Sequence, residues 1–213
     1  MAEPDVDGRT RRATEQRESR RAAILDAALE AFGTRGYHQT HVSDILSLAG
    51  IARGTFYLYF DGKSAVFLEL LEGLLAELGD SIVGVETGPG SPPVEAQLAD
   101  TVRRILATVS NNRLLTAVVV REAVGLDAEV DARLSAFYGR LLAYIREALI
   151  EGQRIGFVRA LDVEVAAMCI LGTIKQFMEH LVRLDDDATV DVRRMALAVL
   201  DFNLRGLTTH QPA

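Results

Sequence analysis

The stretch Thr40-His41-Val42-Ser43-Asp44-Ile45-Leu46-Ser47-Leu48-Ala49-Gly50-Ile51-Ala52-Arg53-Gly54-Thr55-Phe56-Tyr57-Leu58-Tyr59-Phe60 decides the fold. Thr40 can cap a short helix whose apolar positions Val42, Ile45, Leu46 and Ala49 fall at i, i+3, i+4 and i+7, and Gly50 ends it. Ile51 and Ala52 then form a tight turn, and Arg53 to Phe60 make a further short helix with Phe56 and Phe60, four apart, facing inward. Two short helices joined by a Gly-containing turn are a helix-turn-helix candidate. Upstream, Ile24, Ala28, Ala31 and Phe32 mark one face of a helix expected to begin near Ser19 and stop at Gly36.

On the last of these helices Gly54 and Leu58 lie opposite Phe56, with Thr55 and Tyr57 beside them and Arg53 at the rim. The face suits DNA. Arg53 can donate to guanine or phosphate, Thr55 offers a hydroxyl and a methyl, Gly54 permits close backbone approach, Tyr57 and Tyr59 carry phenol hydroxyls, and Leu58 can touch a thymine methyl. Read in isolation, an aromatic-rich short helix is more often core than binding surface. Charge adds a second observation: the whole chain is at −7, yet residues 9–63 carry nine Lys/Arg against six acids. The basic end is the polyanion-facing end or an arginine-rich solvated tail.

The ordered pattern Ala31-Phe32, Gly36-Tyr37, Thr40, Val42-Ser43-Asp44-Ile45, Ala49 to Phe60 and Lys63 resembles the DNA-binding domain of the tetracycline-repressor (TetR/AcrR) family of bacterial transcription regulators. The resemblance implies an all-helical homodimer with a three-helix N-terminal helix-turn-helix domain and a variable C-terminal domain that binds a small molecule. It implies DNA contacts from Arg53, Gly54, Thr55, Tyr57 and Tyr59, with Thr40 and Lys63 on backbone phosphates; Leu58 joins the candidates from its place on the outward face. Ala52 stands where the family often has a capping serine, and Leu46 where a small residue usually sits.

The chain's 213 residues, 49% hydrophobic and 25% charged, describe a globular protein. All five prolines lie at Pro4, Pro89, Pro92, Pro93 and Pro212, leaving two long proline-free stretches with helical apolar spacing, so the fold class is all-α with about nine helices. The domains expected are a flexible N-terminal arm over 1–18, the helix-turn-helix over 19–63, and a ligand-binding and dimerisation domain over 64–213. In the last, a helix is expected over 64–85, then a Pro/Gly loop, then helices over 94–109, 113–124, 128–155, 162–184 and 189–207. The final two are the expected dimer surface, because Met195 to Leu200 is apolar on every side and Ala167, Leu171, Ile174, Met178 and Leu181 repeat at 4,3,4,3. Leu171, Ile174, Met178, Leu181, Met195, Leu197, Val199 and Phe202 are its candidates.

A pocket is expected among the middle helices, with Phe137, Tyr138, Tyr144, Met168, Cys169, Phe177 and Met178 as candidate lining and Arg121, Glu122 and His180 as polar anchors. Few charges interrupt those faces, which favours a lipophilic effector such as an acyl chain, an acyl-CoA or an aromatic compound. Cys169 is the only cysteine, which excludes an intrachain disulfide and a cysteine metal cluster. His38 and His41 have no third ligand at metal spacing, and no G-x-S-x-G or phosphate-cradling glycine loop is present, so neither a cofactor nor catalysis is expected. Asp185-Asp186-Asp187 reads as a solvated helix end. The longest near-apolar stretch, Val165 to Ile174, is half a bilayer span, so the chain is expected in the cytoplasm with no membrane partner. A small-molecule enzyme and a helical adaptor without DNA affinity remain the alternatives to an operator-binding regulator.

Overall fold

The computed structural model describes residues 6–123, 125–183 and 191–208, and those residues form nine α-helices with no strand beyond an isolated bridge between Val158 and Thr208. The chain divides into two compact units, 1–73 and 74–213. The division between the two compact units falls within the fourth helix.

In the first unit α1 (Val6–Arg35) packs on α2 (Val42–Ala49), which packs on α3 (Arg53–Phe56). The helix expected to start near Ser19 starts at Val6, so most of the segment expected as a flexible arm is helical. Its composition explains this: Ala, Arg, Glu and Gln are good helix formers, and Arg11 pairs with Glu15 at 2.9 Å one turn on. Gly36, at φ 81°, ends α1 in the left-handed conformation with its N–H on the Phe32 carbonyl at 2.9 Å. His41 rather than Thr40 is the cap of α2, and its N–H donates to Asp44 Oδ2 at 2.8 Å. That bond, then the Arg35 guanidinium, hold the Asp44 carboxyl below the usual carboxylate range. Gly50, at φ 62°, closes α2.

α3 is shorter than the expected Arg53–Phe60. Tyr57, at ψ −4°, leaves regular helical geometry, and the chain continues through Phe60 as tight turns, Leu58 N–H to Thr55 O at 3.2 Å and Tyr59 N–H to Phe56 O at 2.9 Å. Ala52 makes no side-chain cap bond, as an alanine there must. The core beneath is aromatic: Phe32, Phe56, Phe60 and Phe67 are buried, and Phe32, Tyr37 and Phe67 sit with ring centroids 5.2–6.0 Å apart. Arg21 lies 4.8 Å over the Phe60 ring and pairs with Glu69, fastening α1 to α4 (Lys63–Asp80).

α4 ends at Asp80 rather than Val85. Ser81 turns its hydroxyl back onto the Glu77 carbonyl at 2.9 Å and meets Thr108 Oγ1 at 2.7 Å, which satisfies the helix end and diverts the chain. The Pro/Gly segment is non-helical, as its residues dictate, and Gln97 clamps it through Glu86 and Pro92. The second unit continues with α5 (Val94–Asn111), α6 (Arg113–Glu122), α7 (Ala128–Arg154), α8 (Val163–Arg183) and α9 (Val192–Leu207). Asp127 caps α7 by accepting from Glu129 and Val130 N–H, and Asp191 caps α9 by accepting from Arg194 N–H. α8 lies against α6, α7 and α9. At the foot of α7, Leu149, Val158 and Ala167 form a small core, and Gly152 is required there because a Cβ would stand 2.5 Å from Val158 Cγ2. The Asp185-Asp186-Asp187 run lies outside the described residues.

Candidate nucleic-acid interface and effector cavity

Burying Phe56 and Phe60 turns the rest of Arg53–Tyr59 outward. Leu58 is 74% exposed and Tyr57 45%, Arg53 and Gly54 are exposed, and Thr55 and Tyr59 are half-buried. A leucine held that far into solvent on a structured turn has no packing role in the monomer. The Arg53 guanidinium lies 5.8 Å from the Tyr57 ring centroid, which orients it along the same face. Beside this face Gln16, Arg17 and Arg20 of α1 line a hollow with Leu58 and Tyr59. Two cations on rigid helix thus flank the exposed turn, a placement that the periodicity of α1 does not announce.

Two residues expected on backbone phosphates are engaged within the first unit. Thr40 is fully buried, and its hydroxyl lies within bonding distance of the carbonyls of Gly36 at 2.8 Å and Ala31 at 3.1 Å, so it is a strut between α1 and α2. Lys63 donates to the carbonyls of Tyr37 at 2.8 Å, Thr40 at 2.9 Å and, more weakly, His38 at 3.4 Å, with its ammonium 4.4 Å over the Tyr37 ring. An ammonium has three N–H groups, and all three are taken. Partial burial draws its pKa below that of ordinary lysine, while the three carbonyls favour the charged form. Lys63→Met, which keeps the stem and removes the charge, should lower the stability of the first unit by about 1–3 kcal/mol, because the carbonyls lose their donor. Thermal unfolding checks this; an unchanged melting temperature with weakened DNA binding would return Lys63 to phosphate.

The second unit holds a partly open cavity of about 150 Å³. α4 contributes Leu74, Leu75 and Leu78, α6 contributes Thr116, Val119 and Val120, and Ile82 and Ile105 fill between them. From α7 come Leu134, Phe137, Tyr138 and Leu141, and from α8 Leu171, Ile174, Lys175, Met178 and Glu179. Burial, and then the Glu179 carboxylate, raise the Tyr138 pKa, so its phenol stays neutral. Lys175 Nζ sits 5.4 Å from the Tyr138 ring centroid.

Of the expected pocket residues, Phe137, Tyr138 and Met178 line this cavity and the others do not. Tyr144 bonds the Val83 carbonyl at 3.0 Å at the surface, Arg121 is exposed and bonds Ala117 O, Glu122 is absent from the lining, and Met168 is 55% exposed. Cys169 and His180 are exposed and also absent from it. Phe177 belongs to a separate surface hollow with Thr173, Met195, Ala198, Val199 and Phe202. The α8 residues expected at the dimer surface lie as follows within the single chain. Leu171, Ile174 and Met178 face the cavity and Leu181 is buried, because their repeat marks the side packed within the protein's own fold. On α9, Leu197 at 39% and Phe202 at 71% are exposed. Periodicity could not single out Thr116; the signal available was a lone hydroxyl inside the apolar run Leu114 to Val120.

Residues 24–70 match the model described as "Bacterial regulatory proteins, tetR family", and residues 91–179 match "Tetracyclin repressor-like, C-terminal domain". The chain is 30% identical over 192 residues to the HTH-type transcriptional regulator YdgC of Bacillus subtilis, covering 87% of this chain and 94% of that one. It belongs to the TetR family of bacterial transcriptional regulators. The fatty acid metabolism regulator protein of Bacillus subtilis is 27% identical across 86% of this chain and 93% of its own length. Among solved structures, the transcriptional regulator FadR from Bacillus subtilis in complex with stearoyl-CoA superposes with a TM-score of 0.66 at 25% identity, covering 87% of this chain and 98% of that one. These relatives are regulators rather than enzymes, and the helix-turn-helix occupies the same end of this regulator. Among the described residues no helix is long and apolar enough to cross a membrane.

Proposed function

We propose that the chain is a cytoplasmic, homodimeric repressor that reads a two-half-site operator and leaves it when a small lipophilic effector fills the cavity. The observation that carries the reading is the outward face of Arg53, Gly54, Thr55, Tyr57, Leu58 and Tyr59, flanked by Arg17 and Arg20. In this reading Arg53 and Thr55 address base edges, Leu58 touches apolar base surface, and Tyr57, Tyr59, Arg17 and Arg20 address the backbone. Two such faces in a dimer reach successive major grooves about 34 Å apart. The chain itself performs no reaction.

The apolar cavity supports the effector, and the stearoyl-CoA bound by Bacillus subtilis FadR supports a lipophilic one. α4 is one continuous helix that carries Lys63 against the α1–α2 turn and lines the cavity with Leu74, Leu75 and Leu78. A ligand that displaces α4 therefore alters the groove-to-groove spacing, and effector and operator weaken each other by the same factor, about 5- to 150-fold.

The test is fluorescence anisotropy with duplex DNA flanking the chain's own gene. Arg53→Ala and Tyr57→Ala should each lower operator affinity by about 1–3 kcal/mol, or 5- to 150-fold, with unchanged helicity. Arg17→Ala together with Arg20→Ala should weaken all sequences alike and flatten the salt dependence. Wild-type affinity in the Arg53 and Tyr57 variants would remove the assignment of this face.

A further inference from the structure

Among the described residues, Thr116 carries the one fully buried side-chain polar atom without a hydrogen-bond partner, and it lies in the cavity wall. The residue is 3% exposed, within the buried run Leu115 to Val118 of α6, and its Oγ1 has no hydrogen-bond partner. Helical threonines ordinarily return the hydroxyl to a carbonyl three or four residues back. Thr34 does so to Glu30 O at 2.9 Å, and Thr173 to Ile170 O at 2.8 Å. Thr116 does not, although its own N–H keeps the helical bond to Asn112 O at 2.8 Å. An unsatisfied buried hydroxyl costs about 1–3 kcal/mol. Valine has nearly the same shape without that cost, and valine is what α6 places in the same wall at Val119 and Val120.

Water is a poor standing partner for this hydroxyl. Buried waters typically make about three hydrogen bonds, whereas the other side chains that α4, α5 and α6 give the cavity, such as Leu74, Leu78, Ile105 and Val119, are wholly apolar. A charged ligand group would fare worse on this side, where Thr116 is the one polar side chain that α4, α5 and α6 give the cavity. The charges on the α8 side do not favour either sign, since Lys175 and Glu179 lie one turn apart and oppose each other. Size is a further restriction: about 150 Å³ is the volume that holds a benzene ring.

We propose that Thr116 Oγ1 selects the effector, and that the cavity takes a compact lipophilic molecule bearing one uncharged oxygen, a ketone or hydroxyl, which hydrogen-bonds to it. This rests on reading the cavity as the effector site. Threonine can donate to a ketone or exchange roles with a hydroxyl, so the two classes share one chemistry. A bare hydrocarbon of the same shape still fits but leaves the hydroxyl unpaired.

Acetophenone and ethylbenzene, which differ by a carbonyl in place of a methylene, separate these cases by calorimetric titration of the full chain. Wild type should bind acetophenone roughly three- to tenfold more tightly, the range of one net hydrogen bond. Thr116→Val should abolish that preference while raising the melting temperature of the ligand-free protein, and Thr116→Ser should keep the preference. Equal binding of both probes by wild type, or a preference that survives Thr116→Val, overturns the role of Thr116 while leaving the cavity as a binding site. Failure of wild type to bind either probe overturns the cavity reading together with it.

Discussion

Phe56→Ala should uncouple the recognition face from its support and cost the first unit about 3–5 kcal/mol, the usual range for deleting a buried phenylalanine side chain. Phe56 is fully buried, its ring lies 6.0 Å from that of Phe60 and 5.4 Å from that of Tyr57, and α3 is only four residues long. Helices that short have no stability of their own, so α3 holds its place through this side chain and the bonds of the following turns. A unit of about 73 residues has a small margin, and a loss of this size removes much of it. Chemical denaturation should show the transition of the first unit shifted to low denaturant, and operator binding should fall with it. An unshifted transition with normal operator affinity would mean that α3 is held by contacts other than Phe56.

The same residues show how far the sequence could be read. Phe56 and Phe60 are inward because their spacing of four leaves no other face for two aromatics, and Gly36 and Gly50 end their helices because the left-handed conformation suits them. Thr40 and Lys63 were legible as important but not in direction. Thr40 sits between the exposed Gln39 and His41, and sequence cannot tell a hydroxyl aimed at solvent from one aimed at the Gly36 carbonyl. A lysine whose three N–H groups meet backbone carbonyls has no sequence signature, since the carbonyls belong to every residue. In the second unit the α8 repeat identified a packed face but not what packs against it. Periodicity reports that Leu171, Ile174 and Met178 are turned away from water; it does not distinguish a second copy from the protein's own cavity.

Of the residues expected at the dimer surface, the exposed ones lie on α9, and there Phe202→Asp should have the largest effect on assembly. Phe202 is 71% exposed beside a hollow lined by Thr173 and Phe177 of α8 and by Met195, Ala198 and Val199 of α9, with Leu197 also exposed along the helix. A two-fold interface uses each patch twice, so one substitution is felt at two places. Burying a phenylalanine side chain contributes about 1.5–3 kcal/mol, and losing two raises the dimer Kd by about 10²- to 10⁴-fold, before any cost of the two carboxylates. Folding of the monomer should be unaffected, because so exposed a ring contributes little to it. Sedimentation velocity should therefore show a folded monomer, and the operator should be bound only as isolated half-sites, with the salt dependence of binding reduced by about half. Leu197→Glu should act in the same direction but more weakly, since Leu197 is only 39% exposed and already mostly covered by its own chain. A Phe202→Asp protein that stays dimeric at the wild-type concentration would shift the contact to the exposed side of α8, where Val165 and Met168 stand 50% and 55% exposed, and charge placed at those two positions would then be the variant that separates the subunits.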